Sequence, residues 1–212
     1  HRHDLYEDGS NGFPYRDAFI TLADGVFPVS DDGTAYLRAR YPKASHLIRT
    51  HRLGVQGHRT SNTSRDGVFR IVSCSFVHSI KRVDLIANAL TLAARNQPNQ
   101  QFHWTHIGDG PDLSFVINLA KRAPSNLSTT FMGHVQNREV VKFYSTAPAD
   151  AFINLSASEG IPVSIMEAQS AGIPVIACAV GGVAEIVTQD NGILIPPSCN
   201  LDDVVAGLNQ LQ

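Results

Sequence analysis

The composition of this 212-residue chain is that of a folded protein with nearly neutral charge. Hydrophobic residues make up 43% of it, enough for a core, and charged residues 17%, with a formal net charge of −2. Without a basic excess, nothing in the charge favours binding to nucleic acid. The cysteines, at positions 74, 178 and 199, are an odd number without metal-ligand spacing, which favours free thiols in a cytoplasmic, reducing compartment. No apolar run reaches the roughly 18 residues that a membrane-spanning helix needs.

The first 66 residues are polar and interrupted by glycine and proline. Here we predict a strand, a helix and a second strand, over 23–30, 31–41 and 46–55. Ser30 or Asp31 would cap the helix, and residues 56–67 have the composition of a linker. The chain starts at His1 in mid-pattern and stops within a helical pattern, so we expect it to be a fragment. We interpret the histidines near its start as solvated side chains and expect no bound metal.

From Val68 onward, strand-like and helix-like segments alternate regularly. The predicted strands are 68–75, 102–107, 127–131, 151–155, 175–177 and 192–195. The predicted helices are 83–95, 113–122, 139–147, 163–171, 183–187 and 201–212. This alternation predicts a Rossmann-like α/β fold, a parallel sheet with helices on both faces. Ligands of such sheets bind beyond the carboxyl ends of the strands, so the residues that follow each strand are the candidates for a site.

The most informative segment, residues 154–182, carries two glutamates eight positions apart. Glu159 follows a predicted strand, and Glu167 lies inside the next predicted helix. Between them, Gly160 permits close backbone approach to a ligand, and Pro162 suits the first turn of a helix. The free N–H groups of that turn, at the positive end of the helix dipole, suit a diphosphate. The glutamates would be roughly 7–8 Å apart along the helix, about the span from a sugar to a ribose across a diphosphate. A pair of glutamates at this spacing is a weak signal by itself.

The wider context resembles the retaining GT-B glycosyltransferases of family 4, whose C-terminal domain carries S-x-x-E-G-x-P-x-x-x-x-E-A-x-x-x-G-x-P-V-I. The matching residues are Ser156, Glu159, Gly160, Pro162, Glu167, Ala168, Gly172, Pro174, Val175 and Ile176. The family's G-G-x-x-E, N-G, I-G-D-G-P and F-x-G-x-V blocks follow in order and spacing at Gly181–Glu185, Asn191–Gly192, Ile107–Pro111 and Phe131–Val135. Lys81 matches the lysine of the loop after the first strand. Five residues before it, where the family usually has arginine, stands Phe76.

This resemblance implies two parts: a remnant of the GT-B N-terminal domain with the linker (1–66), and a donor-binding domain truncated at its C-terminus (67–212). It implies a retaining hexosyltransferase of polysaccharide biosynthesis. The enzyme would move a sugar from a nucleoside-diphosphate sugar to a glycan, lipid or small-molecule acceptor, with neither metal nor cofactor.

The resemblance also implies roles for single residues. Lys81 would neutralise the leaving diphosphate and Glu159 would hold a hydroxyl of the donor sugar, so these two are the catalytic candidates. Glu167 would hold the ribose. The remaining donor-binding candidates are Gly160, Ile161, Val163, Ser164, Arg82, Gly133, His134, Val135 and Gly108. Either Arg82, beside Lys81, would take over the charge that is missing at Phe76, or this subfamily dispenses with it.

Two alternatives stay open: a nucleotide-sugar-binding module without turnover, and a GT-B-like nucleotide-sugar epimerase. Catalysis in GT-B enzymes takes place between two domains, so we expect this chain alone to bind a donor but to transfer its sugar poorly or not at all. The missing N-terminal domain would bring most acceptor contacts and any peripheral contact with the inner face of the membrane. A dinucleotide-binding dehydrogenase is disfavoured because residues 76–79 after the first strand do not read G-x-G-x-x-G.

Overall fold

The computed structural model describes residues 16–57 and 66–212, of which the second range forms a six-stranded parallel sheet between helices. Strands β1 to β6 are Val68–Cys74, Gln101–Ile107, Leu127–Phe131, Ala151–Asn154, Val175–Cys178 and Gly192–Ile195. Their order in the sheet is β3-β2-β1-β4-β5-β6, and every neighbouring pair is parallel. The Rossmann-like prediction is confirmed. The order reverses between β1 and β4, and sheets of this kind bind ligands at such a reversal.

Helices cover the sheet and make up just over half of residues 16–57, the described part of the N-terminal segment. Helices α1 to α7 are Arg16–Leu22, Asp31–Arg40, Val83–Asn96, Leu113–Ala120, Asn137–Thr146, Val163–Ser170 and Leu201–Gln210. Three short 3₁₀ helices are Pro42–Leu47, Ser79–Lys81 and Gly181–Glu185. The last of these replaces the short helix predicted over 183–187. Helix α7 begins at a capping box, in which Asn200 and Asp203 each accept a hydrogen bond from the other's backbone N–H.

The N-terminal segment differs most from its prediction. Helix α2 and its Ser30 cap are confirmed, but the two strands predicted around it are wrong. Those two segments meet in a single parallel bridge between Val26 and Ile48. In the first segment, Pro28 has no N–H with which to extend a ladder of hydrogen bonds. In the second, the 3₁₀ helix Pro42–Leu47 ends just before Ile48 and leaves only a short extended stretch. Residues 58–65, in the predicted linker, and the histidines near the start lie outside the described residues.

Two hydrophobic cores hold these parts. The larger surrounds the sheet, and all residues of β4 and β5 are buried, as expected for strands covered on both faces. The smaller joins Ile20, Leu37 and Ile48 of the N-terminal segment. Over residues 16–57 and 66–212, no helix is both long and apolar enough to cross a membrane.

Candidate functional site

Three predicted site residues lie at one edge of the sheet. Lys81 comes after β1, Gly108 directly follows β2, and Glu159 comes after β4. Because these strands are parallel neighbours, their carboxyl ends meet on the same side, and the predicted placement is confirmed.

A cleft of about 780 Å³ opens at this edge. One wall belongs to the N-terminal segment and includes residues 26–30 and Leu53. The opposite wall consists of the loops that follow β1 and β4. Of the predicted site residues, the cleft brings together Lys81, Glu159, Gly160, Ile161, Val163 and Ser164. Among the residues that the structure describes, Lys81 is the only lysine or arginine in its lining.

Lys81 and Glu159 form an ion pair inside the cleft. The Lys81 Nζ lies 2.7 Å from Glu159 Oε1, and Glu159 is only 8% exposed. The side-chain amide of Asn154, at the end of β4, lies 3.4 Å from the same oxygen. A carboxylate this buried needs such partners, because its charge has lost most of its hydration. Asn154 was not among the predicted site residues, although its place at a strand's carboxyl end was a signal for it.

The start of α6 forms the floor beside Glu159. No side chain caps this helix, so its first turn leaves N–H groups for a ligand. A Cβ atom placed on Gly160 would meet nothing within 4 Å, which shows open space above the backbone. Gly181 has a φ of +51°, and a Cβ there would lie 2.0 Å from the carbonyl oxygen of Glu159. The Gly181–Glu185 turn therefore supports the Glu159 loop from behind at a distance that only glycine allows.

Arg82 does not point into the cleft. With a φ of 47°, it turns its guanidinium towards the carbonyl oxygens of Leu155, Ser156 and Pro197, at 2.5, 3.3 and 3.1 Å. A further hydrogen bond, of 3.1 Å, reaches the thiol of Cys178. The structure thus assigns Arg82 to holding loops together, against the expectation that it replaces the missing arginine.

A second cavity, of about 590 Å³, adjoins the cleft. Residues 74–76 line both cavities, and Phe76, 61% exposed, stands between them. The second cavity contains three predicted residues, Gly108, His134 and Val135. Gly133 is not in its lining; its carbonyl accepts a hydrogen bond of 2.9 Å from the Gly108 N–H. Position 108 requires glycine for a structural reason, because a Cβ there would lie 1.9 Å from the Ser75 carbonyl oxygen.

Glu167 lines neither cavity. It is 7% exposed, and its Oε1 accepts a hydrogen bond of 2.7 Å from the side-chain amide of Asn137, at the start of α5. Asn137 was missed from the sequence, because nothing in the pattern indicates which helix end faces Glu167. Burial, and to a lesser degree the nearby Glu167 charge, raises the pKa of the Cys74 thiol to about 11. This cysteine is therefore protonated at neutral pH and is a poor nucleophile.

The described ranges contain no group of three histidine, cysteine, aspartate or glutamate side chains that could hold a metal ion.

Comparison with protein families decides the class. The family described as Glycosyl transferases group 1 matches residues 58–212. The chain belongs to this family. The sulfoquinovosyl transferase SQD2 of Arabidopsis thaliana is 33% identical over 109 residues, 50% of this chain and 20% of that protein. The O-antigen biosynthesis glycosyltransferase WbnH of Escherichia coli is 33% identical over 115 residues, 54% of this chain and 30% of that protein. This group 1 chain thus spans a third or less of these relatives.

Solved glycosyltransferase structures share the fold. The lipopolysaccharide outer core galactosyltransferase WaaB superimposes with a TM-score of 0.71 at 22% identity, over 90% of this chain and 53% of that one. TarM of S. aureus, a mutant in complex with UDP among other ligands, gives 0.76 at 18% identity, over 99% of this chain and 42% of that one. At these identities the likeness shows the α/β fold of GT-B glycosyltransferases and nothing finer.

Proposed function

We propose that this chain is the donor-binding part of a retaining glycosyltransferase that uses a nucleoside-diphosphate sugar. The observation that carries the proposal is the Lys81–Glu159 ion pair beside the uncapped start of α6. A cation and free N–H groups bind a diphosphate favourably, and a carboxylate accepts strong hydrogen bonds from sugar hydroxyls. All three lie in one cleft.

In the proposed mechanism, the diphosphate of the bound donor replaces Glu159 as the partner of the Lys81 ammonium. The lysine and the first-turn N–H groups of α6 then stabilise the negative charge that develops as the sugar–phosphate bond breaks. Glu159, released from its ion pair, accepts a hydrogen bond from a hydroxyl of the donor sugar and fixes its orientation. Glu167, which lines neither cavity in the free protein, would exchange its Asn137 partner for the ribose hydroxyls. His134, Val135 and Gly108 would surround the base in the second cavity. Neither a metal nor a cofactor takes part in these steps.

Similar proteins support this donor and acceptor class. One solved neighbour, Anabaena HepE, is in complex with UDP-glucose, and WbnH belongs to O-antigen biosynthesis. We therefore propose UDP-hexose as the first donor to test and a polysaccharide intermediate as the first acceptor. We also propose a cytoplasmic location, where the three thiols would stay reduced.

Thermal unfolding with added nucleotides tests donor binding. UDP or GDP at about 100 times its Kd should stabilise the chain by about 2.7 kcal/mol. Lys81→Ala should lose most of this gain, whereas Lys121→Ala, a matched change of an exposed lysine on another surface, should keep it. If no nucleoside diphosphate stabilises the wild-type chain, the proposal is wrong.

Turnover separates an enzyme from a binding module. Since the chain matches only part of its relatives, we expect it to bind a UDP-hexose without efficient transfer to an acceptor. Efficient UDP release that depends on an acceptor would contradict this expectation while supporting a transferase. Interconversion of the free donor sugar would instead identify an epimerase.

A further inference from the structure

The first turn of α2 is completed from the other end of the chain. The first N–H groups of a helix have no partners within it and need acceptors elsewhere. The Ser30 hydroxyl accepts from the Gly33 N–H at 3.0 Å. The two amides before it, of Asp31 and Asp32, donate to Glu185 Oε2 and Oε1 at 2.9 and 3.0 Å. One carboxylate therefore caps the helix from more than 150 positions away.

Arg52 ties the chain that leaves the N-terminal segment to the same carboxylate. Its guanidinium lies 2.6 Å from Glu185 Oε2 and 2.5 Å from Asp31 Oδ2. The Thr50 hydroxyl donates to the other Asp31 oxygen at 2.6 Å. The Glu185 side chain is only 16% exposed, so its contacts are sheltered from water although Arg52 is half exposed. These contacts bind both the beginning of α2 and the segment around residue 52 to the donor domain.

The turn that carries Glu185 also supports the Glu159 loop. At its start, the Gly182 N–H donates to the Gly160 carbonyl at 3.0 Å. A Cβ on Gly182 would lie 2.9 Å from the Ser30 Cβ and 2.8 Å from that same carbonyl oxygen. One five-residue turn thus contacts the Glu159 loop at its beginning and the N-terminal segment at its end.

We propose that Glu185 is a positioning residue that sets the width of the cleft. By capping α2 and pairing with Arg52, it holds the wall formed by residues 26–30 and Leu53 opposite Glu159. That wall and the Glu159 carboxylate are then both supported by one rigid element, the Gly181–Glu185 turn. This role goes beyond donor binding, because Glu185 contacts only the protein. The role is therefore the same whichever ligand enters the cleft.

The distance between the two walls measures this role directly. Bio-orthogonal spin labels at Leu53 and Val163, which are exposed and lie on opposite walls, report that distance without any nucleotide. We expect one narrow distance distribution in the otherwise unchanged chain. Glu185→Ala should make it broader and longer, while Glu185→Gln, which keeps a carbonyl acceptor for the helix amides, should restore much of it. An unchanged distribution in a folded Glu185→Ala protein would overturn the proposal.

Amide hydrogen exchange gives a second measurement at single residues. Glu185→Ala should speed exchange of the Asp31 and Asp32 amides about tenfold or more and spare Gly33, which Ser30 holds. Ser30→Ala should produce the reverse pattern. Should Glu185→Ala fail to fold, Arg52→Ala removes only an exposed partner and should still broaden the distance distribution. Equal exchange at all three amides in the wild type and in both capping variants would contradict the capping role.

Neither measurement uses a nucleotide, so their outcome is independent of the test of donor binding. Glu139→Ala serves as a control, because Glu139 is an exposed glutamate that pairs with lysine and arginine on α5. It should change neither the distances nor the exchange of the α2 amides.

Discussion

The ion pair between Lys81 and Glu159 gives the two site glutamates opposite effects on the binding of a free nucleoside diphosphate. The Lys81 Nζ lies 2.7 Å from Glu159 Oε1, so a diphosphate must compete with Glu159 for the lysine. Glu159→Ala removes this competitor, while the contacts that we propose for the nucleotide itself stay in place. The variant should bind UDP or GDP as well as the wild type or better. Glu167→Ala removes the acceptor proposed for the ribose and should bind less well.

The expected magnitudes are far enough apart to measure. Release of Lys81, whose side chain is 28% exposed, should gain on the order of 1 kcal/mol of nucleotide binding, roughly fivefold. A hydrogen bond from a ribose hydroxyl to a carboxylate is worth about 1.5–3 kcal/mol, a loss of roughly 10- to 150-fold. In an enzyme form with transfer activity, Glu167→Ala should mainly raise KM, and Glu159→Ala should mainly lower kcat.

Calorimetric titration of both variants with UDP and GDP decides between these effects. Glu167→Ala also leaves the Asn137 amide without its partner, so Glu167→Gln, which keeps a side chain of the same size, is the matched control. Thermal unfolding of each variant shows whether the fold is intact. Equal losses of nucleotide affinity in Glu159→Ala and Glu167→Ala would refute this division of roles, even with the family assignment intact.

Two further predictions concern stability. Burial lowers the pKa of His106 from 6.5 to about 4, so the fold favours the neutral ring; stability is full above pH 6.5 and falls as the pH drops towards 4. Between pH 7 and pH 5, protonation of His106 should lower the free energy of unfolding by roughly 2 kcal/mol. Urea titrations at both pH values should show this decrease in the wild type and not in His106→Asn. Arg82→Ala should cost about 2–4 kcal/mol, since it leaves three loop carbonyls without their donor, and Arg82→Lys should recover only part because an ammonium cannot replace the guanidinium fork. A loss under about 0.5 kcal/mol for Arg82→Ala in the same titrations would contradict its structural role.

The sheet was predictable because its signals are local. Strands β4, β5 and β6 are short, mostly apolar runs with turn residues at their ends. Strand β6, Gly192–Ile195, was predicted with its observed bounds for this reason. The N-terminal segment lacks this agreement between signals. Its apolar run around Val26 reads as a strand, yet Pro28 removes the N–H that would extend the pairing, so tertiary contacts decide its conformation.

Side-chain direction was not predictable from the sequence. Lys81 and Arg82 are adjacent cations in one loop, and composition does not distinguish them. The structure distinguishes them through the backbone of Arg82, whose φ of 47° turns its side chain away from the cleft and towards the carbonyl groups of neighbouring loops. A non-glycine residue adopts this conformation only when its surroundings compensate the strain, and here the hydrogen bonds of the guanidinium do so.

The capping of α2 by Glu185 shows why a contact between a side chain and a distant backbone cannot be predicted from sequence patterns. Glu185 ends the G-G-x-x-E block of the sequence, but its partners are the backbone N–H groups of Asp31 and Asp32, which every residue except proline carries. The α2 sequence therefore contains no complementary side chain that could identify the contact. What identifies it is the requirement that the first N–H groups of a helix find acceptors: Ser30 supplies one, and the remaining two must come from elsewhere. Once the fold brings the Gly181–Glu185 turn to that helix end, its carboxylate satisfies both amides and fixes one wall of the cleft against the other.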